Sequence, residues 1–395
     1  MRGLVLEGGG AKGAFQIGAY KALLENGFEF DGITGTSIGS LNGAMIAQGD
    51  FEKLEKLWRE IDIEVIFGTV IPAKLMETNF SFELIKNYSN EIKDLVLQGG
   101  IDIKPIYEYI SNNVNEKKVR ESGKDFGLVT FNITDRKGEK LFIEDVPTGC
   151  LWDYLMASCY LPVFKRSELG GKVYLDGAFS DNLPFSMLVD KGYTDIVLVR
   201  IEGLGIIESR DVPGVNFIEI NPRHELGKLL DFSKENSDRL IKIGYLDTMV
   251  ALGKFYGDYY TLKGDAKAYA EYLFNLPDEK IGELGDVLGL PELTGLDKMY
   301  MYILPKIVET LGLKDKPSAA SLAIKLTESR LKQLEMEPLE IYELDGIIKA
   351  FKDKRINIEN EPHDLKELAI TGFKNIFYKE DIINKINNIL FTNRN

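Results

Sequence analysis

The chain has 395 residues, 44% of them hydrophobic, with 62 acidic residues against 48 basic ones and a formal net charge of −14. That length and apolar content suffice to bury a large core in about two structural units, while the acidic balance argues against a nucleic-acid partner or general attraction to anionic lipid. No apolar run approaches the roughly 20 residues of a membrane span, and Met1-Arg2 leads straight into a strand pattern with no secretory leader, so the expectation is a cytoplasmic protein that reaches membranes only from their surface.

The first strand pattern, Leu4 to Leu6, runs into the cluster LEGGGAKG and then into a helical stretch from Ala14 to Asn26. Several backbone N–H groups should therefore converge on one small anionic group, either a phosphate or an oxyanion. Gly8, Gly10 and Gly13 satisfy G-x-G-x-x-G, and Asp31 lies 18 residues past Gly13, which keeps a dinucleotide-dependent oxidoreductase open as an alternative. A P-loop is excluded, because Gly13 is followed by Ala14 and Phe15 instead of Lys and a hydroxyl residue.

The next strand, expected over Phe30 to Thr34, leads directly into Gly35-Thr36-Ser37-Ile38-Gly39, a G-x-S-x-G turn between strand and helix. Its glycines allow a sharp turn that leaves the Ser37 hydroxyl at the tip, and a ribose-binding strand would not end in such an elbow. Further along, VIFGTVIPAKLM at 65–76 reads as a buried strand or packed loop, with an acyl-pocket wall or lid as the rival reading. Its flanks, 51–63 and 81–97, look amphipathic.

Asp125 to Asp135 and Lys140 to Glu144 resemble two strands joined near Arg136-Lys137-Gly138. Cys150 and Cys159 flank an apolar helical stretch and read as core residues of a reducing compartment, without metal-ligand spacing. Val173 to Leu175 look like a strand end, followed by the turn Asp176-Gly177-Ala178 and a helix start at Asp181, Asn182 and Pro184. Strands at 195–200 and 216–221 complete an alternation that predicts a mostly parallel sheet covered on both faces, and helical spacing dominates from Leu226 onward.

A glycine-rich G-G-G-x-K-G loop after the first strand, a G-x-S-x-G elbow after the second and a distant D-G-A turn together resemble the patatin-like phospholipase family. The resemblance implies a three-layer α/β catalytic domain over 3–205 with a mostly parallel central sheet of patatin-like type. A mainly helical region over 206–395 follows, its first part, to about 260, packing on the core. It further implies a serine lipid acyl hydrolase, of phospholipase A or lysophospholipase type, in which Ser37 is the nucleophile and Asp176 its base partner. Gly8, Gly9 and Gly10 would form the oxyanion loop, with Lys12, Gly13, Gly35, Gly39 and Gly177 in support.

A serine hydroxyl is a weak nucleophile that needs a base, and attack on an ester generates an oxyanion that fixed N–H donors stabilise. An aspartate of ordinary pKa near ~3.9 is a poor base unless partly desolvated. The competing order Ser37, Asp176, His224 would suit an α/β-hydrolase triad, but the 36 residues before Ser37 leave room for too few strands. The only other histidine, His363, sits in no recognisable motif. No metal or organic cofactor is expected, and a catalytically silent lipid-binding protein stands as a further alternative.

Overall fold

The computed structural model describes residues 1–61, 63–67, 100–165, 168–209, 212–290, 295–313, 316–354 and 374–391. Most of the 65–76 segment, the amphipathic stretch at 81–97 and His363 lie outside the described residues. The chain divides into two compact units, Met1–Ala251 and Leu252–Asn395.

In the first unit, strands β1 (Arg2–Leu6), β2 (Gly32–Thr36), β3 (Asp125–Asn132), β4 (Lys137–Phe142), β5 (Glu168–Leu169), β6 (Lys172–Asp176), β7 (Asp195–Val199) and β8 (Asn216–Ile220) form one mixed sheet. Its order is β5-β6-β3-β2-β1-β7-β8, with β4 also paired to β3. The central strands β3, β2, β1, β7 and β8 are parallel, while β4, β5 and β6 make the antiparallel margin. Leu4, Val5 and Leu6 are fully buried, as a parallel strand covered on both faces requires.

Alternation along the strands divides the two faces. Val5 points into a cluster with Leu183, Phe185 and Leu188, contributed largely by helix α8 (Phe185–Asp190). On the opposite face Gly43 of α2 (Ile38–Ala47) comes close to Leu6, Ile33 and Phe126. Helix α1 (Ala14–Glu25) packs against α9 (Lys234–Ala251), and Gly18 and Gly244 let the two backbones touch, since a Cβ on either would sit 2.0 Å or less from a carbonyl oxygen of the other. The remaining described helices are α3 (Phe51–Glu60), α4 (Ile63–Phe67), α5 (Lys104–Asn113), α6 (Glu116–Glu121) and α7 (Leu151–Ser158).

The first compact unit runs to Ala251, past residue 205 and within the stretch to about 260 expected to pack on the catalytic domain. Strand β8 extends the sheet and α9 closes over α1, so both belong to the first unit's core. The second unit is mainly helical, with a two-stranded parallel ribbon pairing Thr261–Lys263 with Ile341–Glu343. Two of its helices start at capping residues: the Asp265 carboxylate accepts the amides of Lys267 and Ala268, and the Ser318 hydroxyl accepts that of Ser321. Leu273, Phe274, Ile281, Ile307, Leu326 and Phe351 are among the residues of its own apolar core.

Candidate active site

The β2-to-α2 turn holds Ser37 at φ 54°, a left-handed conformation that non-glycine residues seldom adopt. Three interactions hold it there. The Ser37 amide donates to Ser158 Oγ at 2.9 Å, and Ser158 in turn donates to the Val129 carbonyl at 2.6 Å. Thr36, one residue earlier, donates its hydroxyl to the Asp181 carbonyl at 2.7 Å. Gly35 and Gly39 make the turn possible by close approach, since a Cβ on Gly39 would lie 2.3 Å from the Leu6 carbonyl and one on Gly35 would lie 2.4 Å from the Gly39 backbone.

Strand β3 brings the serine and the aspartate together. It pairs along one edge with β4 over 127–132, so β2 (opposite 125–129) and β6 (opposite 130–132) must share its other edge. They run toward each other, and their C-terminal residues Thr36 and Asp176 fall opposite the consecutive residues Val129 and Thr130. Ser37 Oγ then donates to Asp176 Oδ2 at 2.6 Å, and Asp176 Oδ1 accepts the Ala178 amide at 2.9 Å. Burial raises the Asp176 carboxyl from 3.8 to about 6, the two hydrogen bonds opposing only part of that shift. A Cβ on Gly177 would strike the Val129 carbonyl at 2.2 Å, so the turn after Asp176 needs a glycine.

The glycine loop lies beside this pair. The Gly8 amide is already engaged, donating to the Asn182 carbonyl at 3.2 Å, whereas the amides of Gly9 and Gly10 have no partner among the described residues. Each of those two amides belongs to a peptide whose carbonyl is tied down: Gly8 O accepts Asn182 Nδ2 at 3.1 Å, and Gly9 O accepts the Lys12 amide at 3.3 Å. Gly10 has φ +57°, and a Cβ there would meet the Leu229 carbonyl at 2.3 Å. Gly13 admits Ile38 and the Trp58 ring, and Lys12 Nζ donates to the Glu202 carbonyl at 3.0 Å. Glu7 is wholly buried and accepts the amides of Ile201 and Glu202, clamping the loop after β7 to the loop after β1; burial pushes its carboxyl up.

A cavity of about 100 Å³ opens over Ser37 and Asp176. Its wall is mostly aliphatic and aromatic, including Met45, Trp58, Ile110, Phe164, Leu229 and Phe232. Cys159 also faces it, its thiol pushed well up by burial and by the Asp176 charge. Such a cleft excludes water and suits a hydrocarbon chain better than a charged ligand.

Other sequence expectations fall elsewhere. Asp31 is exposed at the N-terminal end of β2, bonded to the Arg2 amide, while the glycine loop sits at the C-terminal ends of the strands. A ribose-binding carboxylate must lie at the same ends as the loop, so the dinucleotide arrangement is not met. His224 stands near Asp247 of α9 and does not line the cavity. Among the described residues there is no group of three or more His, Cys, Asp or Glu side chains able to hold a metal ion, and no helix is long and apolar enough to cross a membrane.

Ser158 and Asn182 were not singled out as site residues by sequence reasoning. A lone serine inside the apolar run LWDYLMASCYLP was the available signal for Ser158; Asn182 read only as a helix-start residue.

Residues 4–189 match the family described as patatin-like phospholipase. The lysophospholipase NTE1 of Kluyveromyces lactis is 28% identical over 204 residues, covering 50% of this chain and 12% of that protein. The lysophospholipase NTE1 of Cryptococcus neoformans is 29% identical over 258 residues, with 62% and 14% covered. The patatin-like phospholipase domain-containing protein ZK370.4 of Caenorhabditis elegans is 28% identical over 207 residues, with 48% and 13% covered. The matched part of the chain thus spans 12 to 14% of the length of these relatives.

Proposed function

Because residues 4–189 match the patatin-like phospholipase family, we propose that the chain is a serine hydrolase of lipid acyl esters, of the phospholipase A or lysophospholipase kind, working through Ser37 and Asp176. The observation that carries this reading is the 2.6 Å hydrogen bond from Ser37 Oγ to a buried carboxylate at the floor of an apolar cavity. A carboxyl held near pH 6 is a better proton acceptor than an ordinary aspartate and is still ionised at neutral pH.

In the first step Ser37 Oγ bonds to the ester carbonyl carbon as its proton passes to Asp176. The carbonyl becomes an oxyanion, and the amides of Gly9 and Gly10, without a partner among the described residues, are the donors suited to receive it. Gly8 then serves by shape, lying against Ser37, with its own amide engaged. Collapse expels the alcohol, which recovers the proton from Asp176 and leaves Ser37 acylated. Water next attacks the acyl carbon while Asp176 takes its proton, and the second collapse returns that proton to Ser37 and frees the fatty acid. No step draws on a metal or organic cofactor.

The acyl chain would lie along the apolar wall, and lipid is the partner this cavity favours; contact with a membrane would be peripheral. The deciding experiment is labelling of the intact protein with a fluorophosphonate. The adduct is expected on Ser37, and Ser37→Ala should abolish both labelling and hydrolysis of nitrophenyl butyrate. A folded wild type that neither labels nor hydrolyses would leave a silent lipid-binding protein as the better reading.

A further inference from the structure

Three buried side chains lie end to end between the cavity wall and the glycine loop. Trp58, on α3, is 3% exposed, lines the cavity and stacks on Phe232 with ring centroids 6.1 Å apart. Its Nε1 donates to Oδ1 of Asn42, on α2, at 2.8 Å. Asn42 Nδ2 donates to Oε1 of Gln16, on α1, at 2.8 Å and to the Gly13 carbonyl at 3.1 Å. Gln16 Nε2 donates to the Glu7 carbonyl at 2.7 Å. Asn42 and Gln16 are 1% and 0% exposed, so no solvent competes for these groups.

The direction of the relay is set from one end. An indole N–H can only donate, so the Asn42 oxygen must face Trp58 and its NH₂ must face Gln16. Gln16 therefore receives through its oxygen and has only its NH₂ to offer Glu7. Reversing either amide would set oxygen against oxygen or N–H against N–H in a buried site. The carbonyl at the end of the relay belongs to the Glu7–Gly8 peptide, whose N–H is held by the Asn182 carbonyl at 3.2 Å. The peptide that precedes the Gly9 and Gly10 amides is thus pinned on both sides, by α1 and by the segment after Asp176.

We propose that Trp58, Asn42 and Gln16 are positioning residues that fix the peptide planes of the glycine loop and so keep the Gly9 and Gly10 amides aimed at the developing oxyanion. The proposal rests on the hydrolase reading above. A donor that drifts by a fraction of an ångström loses most of its value in the transition state while ground-state binding is unaffected. A purely structural role predicts a different outcome, in which fold stability or chain binding changes and turnover does not.

The test uses Gln16→Met, which keeps length and volume without hydrogen bonds, and Trp58→Phe, which keeps an aromatic ring in the wall while removing the donor together with part of the indole. Three readouts are taken: kcat and KM on nitrophenyl butyrate, the rate of fluorophosphonate labelling at Ser37, and the affinity for a fluorescent 16-carbon fatty acid. Gln16→Met is expected to lower kcat and the labelling rate about ten- to a hundredfold, with KM and fatty-acid affinity within about twofold of wild type. Trp58→Phe should lose about three- to tenfold in the same two quantities, since one link remains ordered by packing. Folded variants with wild-type kcat overturn the proposal, as does a loss confined to KM and fatty-acid binding. If Gln16→Met does not fold, Trp58→Phe alone decides. A wild type that is itself inactive and unlabelled fells the hydrolase reading and this proposal with it, whereas active wild type with unaltered variants fells only the proposal.

Discussion

Asp176 receives the Ser37 hydroxyl at 2.6 Å while only 2% exposed, and the same burial that shields the pair raises the carboxyl to about 6. As the proposed base, Asp176 works only when ionised. Hydrolysis of a neutral ester should therefore show kcat/KM falling about tenfold per pH unit below roughly 6 and level above it. Rates of nitrophenyl butyrate hydrolysis from pH 4.5 to 8.5 provide the check. His224→Gln should leave both the plateau and the inflection in place; loss of activity as deep as in Ser37→Ala would make His224 the base.

The raised carboxyl also sets a trade between activity and stability. Folded Asp176 holds its proton more tightly than the unfolded chain, so stability falls as pH rises from about 3.8 toward about 6 and stays lower above that. At pH 7.5 the ionised group costs on the order of 2–3 kcal/mol. Asp176→Asn removes that charge; its one amide oxygen can keep the Ala178 N–H, which turns its NH₂ toward Ser37 Oγ as a donor. It is expected to resist denaturant better than wild type at pH 7.5 while losing about three orders of magnitude in kcat/KM. Urea titrations at pH 4 and 7.5 would show the gain only at the higher pH, and an asparagine variant no more stable there would contradict it.

Ser158→Ala should damage the elbow from behind. The substitution leaves the Ser37 amide and the Val129 carbonyl without their shared partner in a buried site. A loss of about 1–3 kcal/mol in stability is expected. Turnover should drop about tenfold or more, as Ser37 relaxes from its left-handed φ. Wild-type kcat together with wild-type unfolding would show that the elbow holds itself.

Gly9 and Gly10, whose amides have no partner among the described residues, should respond differently to alanine. At Gly10, φ +57° and a backbone oxygen 2.3 Å from the new Cβ leave no relaxed position, so Gly10→Ala should cost about 1–3 kcal/mol as well as activity. Gly9 has extended φ, and the nearest obstacle is the Ile201 side-chain tip at 2.7 Å. Gly9→Ala should stay folded and lose mainly kcat, by about a hundredfold. Melting curves beside single-turnover rates separate the two, and equal melting temperatures would refute the distinction.

What the sequence announced and what it withheld divide along physical lines. The elbow was legible because glycine spacing around Ser37 acts within five residues, and the Asp176 turn because glycine and capping residues sit together. Strand β2 was placed two residues early: Gly35 and Thr36 are in the sheet, held by pairing with Leu6, Leu128 and Val129, although local propensity argues against glycine in a strand. Ser158, Asn182 and the Gln16–Asn42–Trp58 relay escaped notice because each acts on a residue distant in sequence, Ser158 on an amide 121 positions away. The engaged state of the Gly8 amide was hidden for the same reason, since its acceptor Asn182 lies 174 positions on.

The end-to-end meeting of β2 and β6 on one edge of β3 carries a consequence for how the protein comes into being. Ser37 and Asp176 stand 139 residues apart and share no local contact before β3 is in place to receive both strands. Closing so long a loop is slow and depends on the intervening chain. During synthesis Ser37, the proposed nucleophile, emerges early but stays an ordinary hydroxyl, since the carboxylate that accepts its proton in the fold is not yet in place. On the proposed mechanism, any nascent chain or proteolytic fragment ending before β6 would be inert toward esters, and the serine would be armed only as the fold around it is completed.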